Sequence, residues 1–355
     1  MVKHIFFLSL FICSFLFSES KILSFYSPVY IDEKIEIDGY LNENAWKISK
    51  KGGNFYKYWE PKPIKGELNT EFIIFYNEKG LYFASINYDD YIENIKATRK
   101  MRDDPELWTD DCNEIYFDPE GKGVGYLKFI VNFLGTEYDE RRIDTANTDV
   151  SWNHENWIYK TSKGKNCWIV ESFFPWDDIF KKPKEGDIWM FNLVRYSFST
   201  GEFRGVSWSC GGSYNSPDKF GYLYFSKKEV DLNKIGEVLS KYISPSWELP
   251  YKDGILICRE KSKYKFLKNE EIFNENRIEI EKLIKKIDIL EQTIKNEELS
   301  NKFLKMRNEF TDKIKGEITH EKIKEMNDLL LQFYNLYWDL KIEEILINVK
   351  KEKDE

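Results

Sequence analysis

Residues 70–88 read Thr-Glu-Phe-Ile-Ile-Phe-Tyr-Asn-Glu-Lys-Gly-Leu-Tyr-Phe-Ala-Ser-Ile-Asn-Tyr. Two runs rich in β-branched and aromatic residues, 70–76 and 81–88, flank the turn signal Asn77-Glu78-Lys79-Gly80. The stretch predicts a β-hairpin. The same grammar recurs outward at 113–117, 126–133, 188–198 and 220–225. It recurs again at 157–161 and 167–174, which enclose Lys163-Gly164-Lys165-Asn166. Many short strands with no helical period between them exclude a βαβ architecture, so residues 28–226 are expected to form one antiparallel β-sandwich.

Beyond about residue 264 the pattern changes. All ten prolines lie at or before Pro250, and eighteen of nineteen glycines at or before Gly254. Ile280, Leu283, Ile287, Leu290 and Ile294 recur at steps of four and three, and Leu299, Phe303, Met306 and Phe310 continue the stripe. After Gly316, Thr319 can cap a second helix striped by Ile323, Met326, Leu330, Phe333, Tyr337 and Leu340. The fold class expected is mainly β, a sandwich followed by a C-terminal α-helical hairpin or coiled coil with helices over 266–315 and 320–350. Residues 227–265, with Ser244-Pro245-Ser246 and Glu248-Leu249-Pro250, read as a connector containing one short helix. Phe333, Tyr337 and Trp338 are the expected anchors for self-association or a protein partner.

The chain has 355 residues, 53 Lys+Arg against 61 Asp+Glu, and a net charge of −8. No basic cluster stands clear of acidic neighbours, which argues against nucleic acid as a partner. An aromatic share of 17% points to an all-β core, a stacking surface, or both. Lys3 and His4 precede an apolar run over 5–17 and Ser18-Glu19-Ser20, the pattern of a signal peptide over 1–20. An exported protein, secreted or held in the periplasm or cell envelope, is expected. Of the later cysteines, Cys112, Cys167, Cys210 and Cys258 show no zinc spacing; they allow three disulfide pairings, or buried free thiols.

Ile37-Asp38-Gly39-Tyr40-Leu41-Asn42-Glu43-Asn44-Ala45-Trp46 resembles the opening IDGxLxExxW of the family 9 carbohydrate-binding modules and their relatives. The later pieces follow in the family's order: Gly80-Leu81-Tyr82-Phe83, Trp108-Thr109-Asp110-Asp111-Cys112-Asn113-Glu114, Asn132 with Gly135, Trp168-Ile169-Val170-Glu171 leading to Pro175, and Pro217-Asp218-Lys219-Phe220-Gly221. The resemblance implies a sandwich that grips a saccharide between two tryptophans, often with structural calcium. It implies Trp108 as one wall, Glu114 and Asn132 as polar partners, and Trp208 as the second wall. Where sugar-binding members carry an arginine, this chain has Lys128.

A pyranose offers C–H faces to indole and hydroxyls to polar groups, which agrees with these residue types. Arg195 and Arg204 are further candidates for hydroxyl contacts. Trp152 and Trp157, in another polar loop, are also candidates for ligand contact, whereas Trp46, Trp168 and Trp189 read as core. Asp110, Asp111 and Asp118 are the candidate calcium ligands, with Asp89 and Asp90 as a second set. No nucleophile motif or catalytic-barrel pattern is present, so binding is expected and hydrolysis assigned to a partner. Two alternatives stay open: a haem-binding redox module using Met101 or Met190 with a lysine or His154, and a structural envelope protein.

Overall fold

The computed structural model describes residues 20–58, 66–211 and 215–354. The expected signal peptide lies outside the described residues, apart from its last position. The chain divides into two compact units, a β unit ending at Ile235 and a second unit from Gly236 onward.

In the β unit the strands are β1 (Phe25–Tyr26), β2 (Val29–Tyr30), β3 (Tyr56–Lys57), β4 (Thr70–Tyr76), β5 (Gly80–Tyr88), β6 (Cys112–Asp118) and β7 (Tyr126–Asn132). They continue with β8 (Glu137–Arg142), β9 (Thr148–Asp149), β10 (Ile158–Lys163), β11 (Cys167–Pro175), β12 (Ile188–Ser197), β13 (Arg204–Ser207) and β14 (Gly221–Tyr224). A five-stranded sheet runs β10-β11-β5-β4-β2. A nine-stranded sheet runs β9-β8-β7-β6-β12-β13-β3, with β14 pairing β12 and β1. The hairpin read from residues 70–88 is β4-β5, in register from Thr70 opposite Asn87 to Tyr76 opposite Leu81.

Period-two alternation sends Phe72, Ile74, Phe83, Trp168, Val170 and Phe174 of the smaller sheet against Ile115, Phe117, Phe129, Phe191 and Leu193 of the larger one. This is the core of a β-sandwich. Trp168 and Trp189 are in it, as expected. So is Trp157, with the partly buried Trp152 packed against that core: both rings meet Phe129 edge-on, at 4.9 and 5.9 Å, and are turned inward. The other face of the smaller sheet is covered by the short helix α1 (Asn44–Ile48), where Trp46 packs on Phe75 at 4.7 Å.

The turn of the Ile37–Trp46 motif is held by the Glu171 side chain. Gly39 turns at φ +91°, and the N–H groups of Asp38 and Gly39 both donate to Oε2 of buried Glu171, at 2.9 and 2.7 Å. Burial outweighs those donors and pushes the Glu171 carboxyl from 4.5 up to about 7. The fold therefore prefers the protonated acid. That contribution to stability is whole below pH 4.5 and is lost as the pH rises through 7. Glu171→Gln keeps an oxygen for the two donors and removes the charge. Wild type should lose about 1–3 kcal/mol relative to this variant between pH 4.5 and about 8, read from urea melts across the range.

The second unit opens with α2 (Leu232–Tyr242) spanning the division, followed by an antiparallel series β15 (Trp247–Tyr251), β16 (Gly254–Glu260) and β17 (Lys263–Lys268). The connector thus holds the one short helix expected and, beyond it, strands. Three C-terminal helices come next: α3 (Asn269–Glu291), α4 (Glu297–Lys313) and α5 (His320–Asp354). The expected helix over 266–315 is divided at 292–296, because the Asn296 side chain accepts the Leu299 N–H and starts α4 afresh. Thr319 caps α5 as expected, accepting the Lys322 N–H at 3.2 Å.

Ile280, Leu283, Ile287, Phe303, Met306, Ile323 and Met326 build the helical core. Phe333 is sealed inside it and Tyr337 packs against it; of the three expected association anchors, Trp338 alone is exposed, at 51%. The four described cysteines are free thiols. Among the described residues no helix is long and apolar enough to cross a membrane.

Candidate functional site

The outward face of the nine-stranded sheet is fixed by register. Since Ile115, Phe117 and Phe129 point into the core, Glu114, Tyr116, Lys128 and Ile130 point away from it, with Tyr138, Glu140, Asn192, Val194 and Tyr196 in line with them. These residues form a covered polar and aromatic row. The Tyr116 hydroxyl donates to Glu114 Oε2 at 2.6 Å, and Lys128 Nζ lies 3.5 Å from Glu114 Oε1 and 5.7 and 5.6 Å from the Tyr116 and Tyr138 ring centres. Lys128, standing where an arginine was expected, thus completes a charge pair with Glu114.

Trp108 stands at the end of this row, 42% exposed. Its neighbour Leu107 is fully buried and anchors the 3-10 turn Leu107–Thr109. Asp110 holds the approach to that turn by accepting the Thr98 and Arg99 N–H groups, the Thr98 hydroxyl and the Asn132 amide. Asn132 also donates to the Arg99 carbonyl, and its own carbonyl takes the Thr136 N–H across the turn that Gly135 closes at φ +80°. Asp110 and Asn132 therefore position Trp108; both are buried, with their polar groups spent inside the loop.

The Trp108 ring packs edge-on against Tyr196 at 6.5 Å. On that same tyrosine lie Tyr58, hydroxyl to hydroxyl at 2.9 Å, and Phe203, at 5.4 Å and 45% exposed. Trp108 and Phe203 are two exposed aromatic rings sharing one buried aromatic support. The sequence reading missed Phe203 and Tyr58, since a phenylalanine in Thr-Gly-Glu-Phe-Arg carries no pattern that separates it from an ordinary turn.

Trp208 is elsewhere. It is 3% exposed and packs on Phe72 and Phe191 at 5.1 and 5.4 Å, on the core side of the sheet, so it forms no open wall. Arg195 also faces inward: it is fully buried, donates to the Asn69 and Tyr88 carbonyls, and pairs with Asp89 at 3.0 Å. Arg204 donates to Ser197 and Ser199 beside the same aspartate. Both arginines hold this end of the sandwich, Arg195 from within and Arg204 partly exposed.

The calcium candidates do not converge. Asp110 and Asp111 precede β6 and Asp118 closes it, about 20 Å away along an extended strand. Asp111 Oδ2 takes the N–H groups of Lys96 and Phe198 while its Oδ1 is buried without a partner, and Asp118 takes those of Glu120, Gly121 and Gly123. With Asp118 a strand's length from Asp110 and Asp111, the three do not form one cation site. Asp89 is committed to Arg195. Among the described residues no group of three His, Cys, Asp or Glu could hold a metal.

The haem candidates are also separated. His154 sits in the core against Phe129, Phe174 and Phe180, its imidazole lowered below the usual range by burial and 3.0 Å from Asp177. Met190 lies on the opposite face of the nine-stranded sheet, in line with Asp118 and Tyr222. Met101 is exposed.

Over residues 37–228 the sequence matches the family described as Carbohydrate family 9 binding domain-like. The chain belongs to this family. The family 9 match begins at the motif turned over Glu171, takes in Trp108 and Phe203, and ends past β14, short of the helical unit. Two solved structures of a family 9 carbohydrate-binding module from Caldicellulosiruptor kristjanssonii are similar to it. The one in complex with glucose is 17% identical with a TM-score of 0.44, over 59% of this chain and 100% of that one. The one in complex with cellotriose is 16% identical with a TM-score of 0.44, over 59% of this chain and 97% of that one. No curated protein matches the chain.

Proposed function

We propose that this is an exported carbohydrate-binding protein in which a sugar ring stacks on Trp108 and Phe203. The observation that carries the reading is a pair of exposed aromatic rings on one buried tyrosine, with buried Glu114 and its partner Lys128 in the same outward row, in a chain of family 9. Binding, with bond cleavage left to another protein, follows from a site whose carboxylate is already paired. Export is supported by the apolar run over 5–17 and the small residues after it.

Titration calorimetry of the full chain with glucose and cellotriose tests this. Trp108→Ala is expected to weaken binding about 30-fold, the ~2 kcal/mol of an aromatic anchor, and Phe203→Ala severalfold, with melting unchanged in both. Wild-type affinity in Trp108→Ala would remove the stacking site.

A further inference from the structure

At the other end of the sandwich, where β6 closes at Asp118, the turn after β6, the end of β8 and the loop before β12 enclose a cleft of about 740 Å³. Six cationic and four acidic side chains line it, a reversal of sign in a chain of net charge −8. Three of the cations are committed: Lys122 to Glu120 at 2.7 Å, Lys182 to Glu78, and Arg142 to the carbonyls of Asp144, Thr145 and Asn215. Arg141, Lys181 and Lys184 have no side-chain hydrogen bond or close ion pair among the described residues; Glu120, already held by Lys122, attracts Arg141 and Lys181 from beyond ion-pair distance, as Asp149 does Arg141. Two of the acids do not answer them, for Asp118 takes backbone N–H groups of its own turn and Asp187 takes the Lys184 N–H at 2.7 Å. Arg141 is half-buried and in line with core-facing Leu127, so its guanidinium is aimed at the cleft's inner side. Between these cations the lining is apolar, with Val124 and Ile143 exposed and Ile179 half-buried.

We propose that this cleft binds an anionic saccharide segment, one bearing carboxylate or sulfate groups, with its charges on Arg141, Lys181 and Lys184 and its ring C–H faces on the apolar floor. The volume is far larger than a lone ion needs, and unpaired cations spread over two chain segments match a polymer whose charges repeat. The sugar part rests on the family reading; the anion part rests on the cleft alone.

The test uses the full chain with oligogalacturonate and sulfated dextran oligosaccharides, beside cellotriose, polyglutamate and inorganic sulfate. The Arg141→Ala/Lys181→Ala/Lys184→Ala variant is expected to weaken the charged glycans tenfold or more and leave cellotriose unchanged, while Trp108→Ala does the reverse. Added salt should weaken only the charged glycans. Arg141→Gln alone, which keeps most of the stem, should move affinity in the same direction and covers the case of a triple variant that does not fold. No binding of charged glycans by wild type, equal binding by wild type and both variants, or polyglutamate or sulfate binding as tightly as the charged sugars would each overturn the proposal. Failure of cellotriose alone would count against the Trp108 site and leave this one standing.

Discussion

Trp208→Ala is expected to lower the free energy of unfolding by about 3–5 kcal/mol, the cost of emptying a large aromatic from a packed core. The site has little means of closing over the hole. Phe72 and Phe191 hold the ring from two sides, and Gly221 stands where any side chain would strike it: a Cβ there would lie 2.4 Å from the indole. The backbone is fixed as well, the Trp208 N–H donating to Leu193 and its carbonyl accepting the Ser24 hydroxyl at 2.7 Å. Trp108→Ala, at a half-exposed rim, should cost under about 1 kcal/mol by contrast. Urea denaturation of both variants beside sugar titrations reads the difference. A Trp208→Ala protein of wild-type stability that has lost its sugar would return Trp208 to the binding surface.

Why that tryptophan read as a wall is plain from its neighbours. Ser207, Ser209 and nearby glycines look like a surface stretch, yet the Ser207 hydroxyl and Ser209 N–H both reach the Asn192 carbonyl beneath the sheet's surface. Local polarity counted partners that only the fold supplies. Arg195 misled in the same way, its carboxylate lying 106 residues away at Asp89. The exposure of Trp108 was legible because its loop is polar on both sides, and Leu107, Asp110 and Asn132 pin that loop without covering the ring. The β4-β5 hairpin and the apolar stripes of α3 to α5 were legible because strand and helix periods are local. The break before α4 was hidden, since Ile294 stays buried and keeps the stripe running through a segment that is no longer helix. In β15, Pro250 read as a breaker; it sits opposite Ile255, next to the turn that follows Tyr251.

The largest effect expected of a single change outside the apolar core is at Asp89. Its carboxylate meets the Arg195 guanidinium at 3.0 Å, accepts the Ser199 hydroxyl at 2.9 and 3.0 Å and the Ser197 hydroxyl at 3.2 Å, and lies 3.6 Å from Arg204. Burial lowers the Arg195 pKa to about 10, which still leaves it charged near neutral pH. Asp89→Ala leaves that charge in the interior with carbonyl and hydroxyl partners and only the more weakly coupled Asp111 as counter-charge, a loss of about 3–5 kcal/mol. Asp89→Ala/Arg195→Met, which removes both charges, should recover most of it, since an apolar pair of similar volume avoids the desolvation altogether. The segment from Ser197 to Arg204 carries Phe203 and is tied to Asp89 at both ends, so the single variant should also weaken sugar binding while the double variant restores stability without restoring affinity. Urea melts and cellotriose titrations of the two variants measure these separately. An Asp89→Ala protein within about 1 kcal/mol of wild type would mean that the Asn69 and Tyr88 carbonyls and the Thr70 hydroxyl suffice to hold the guanidinium.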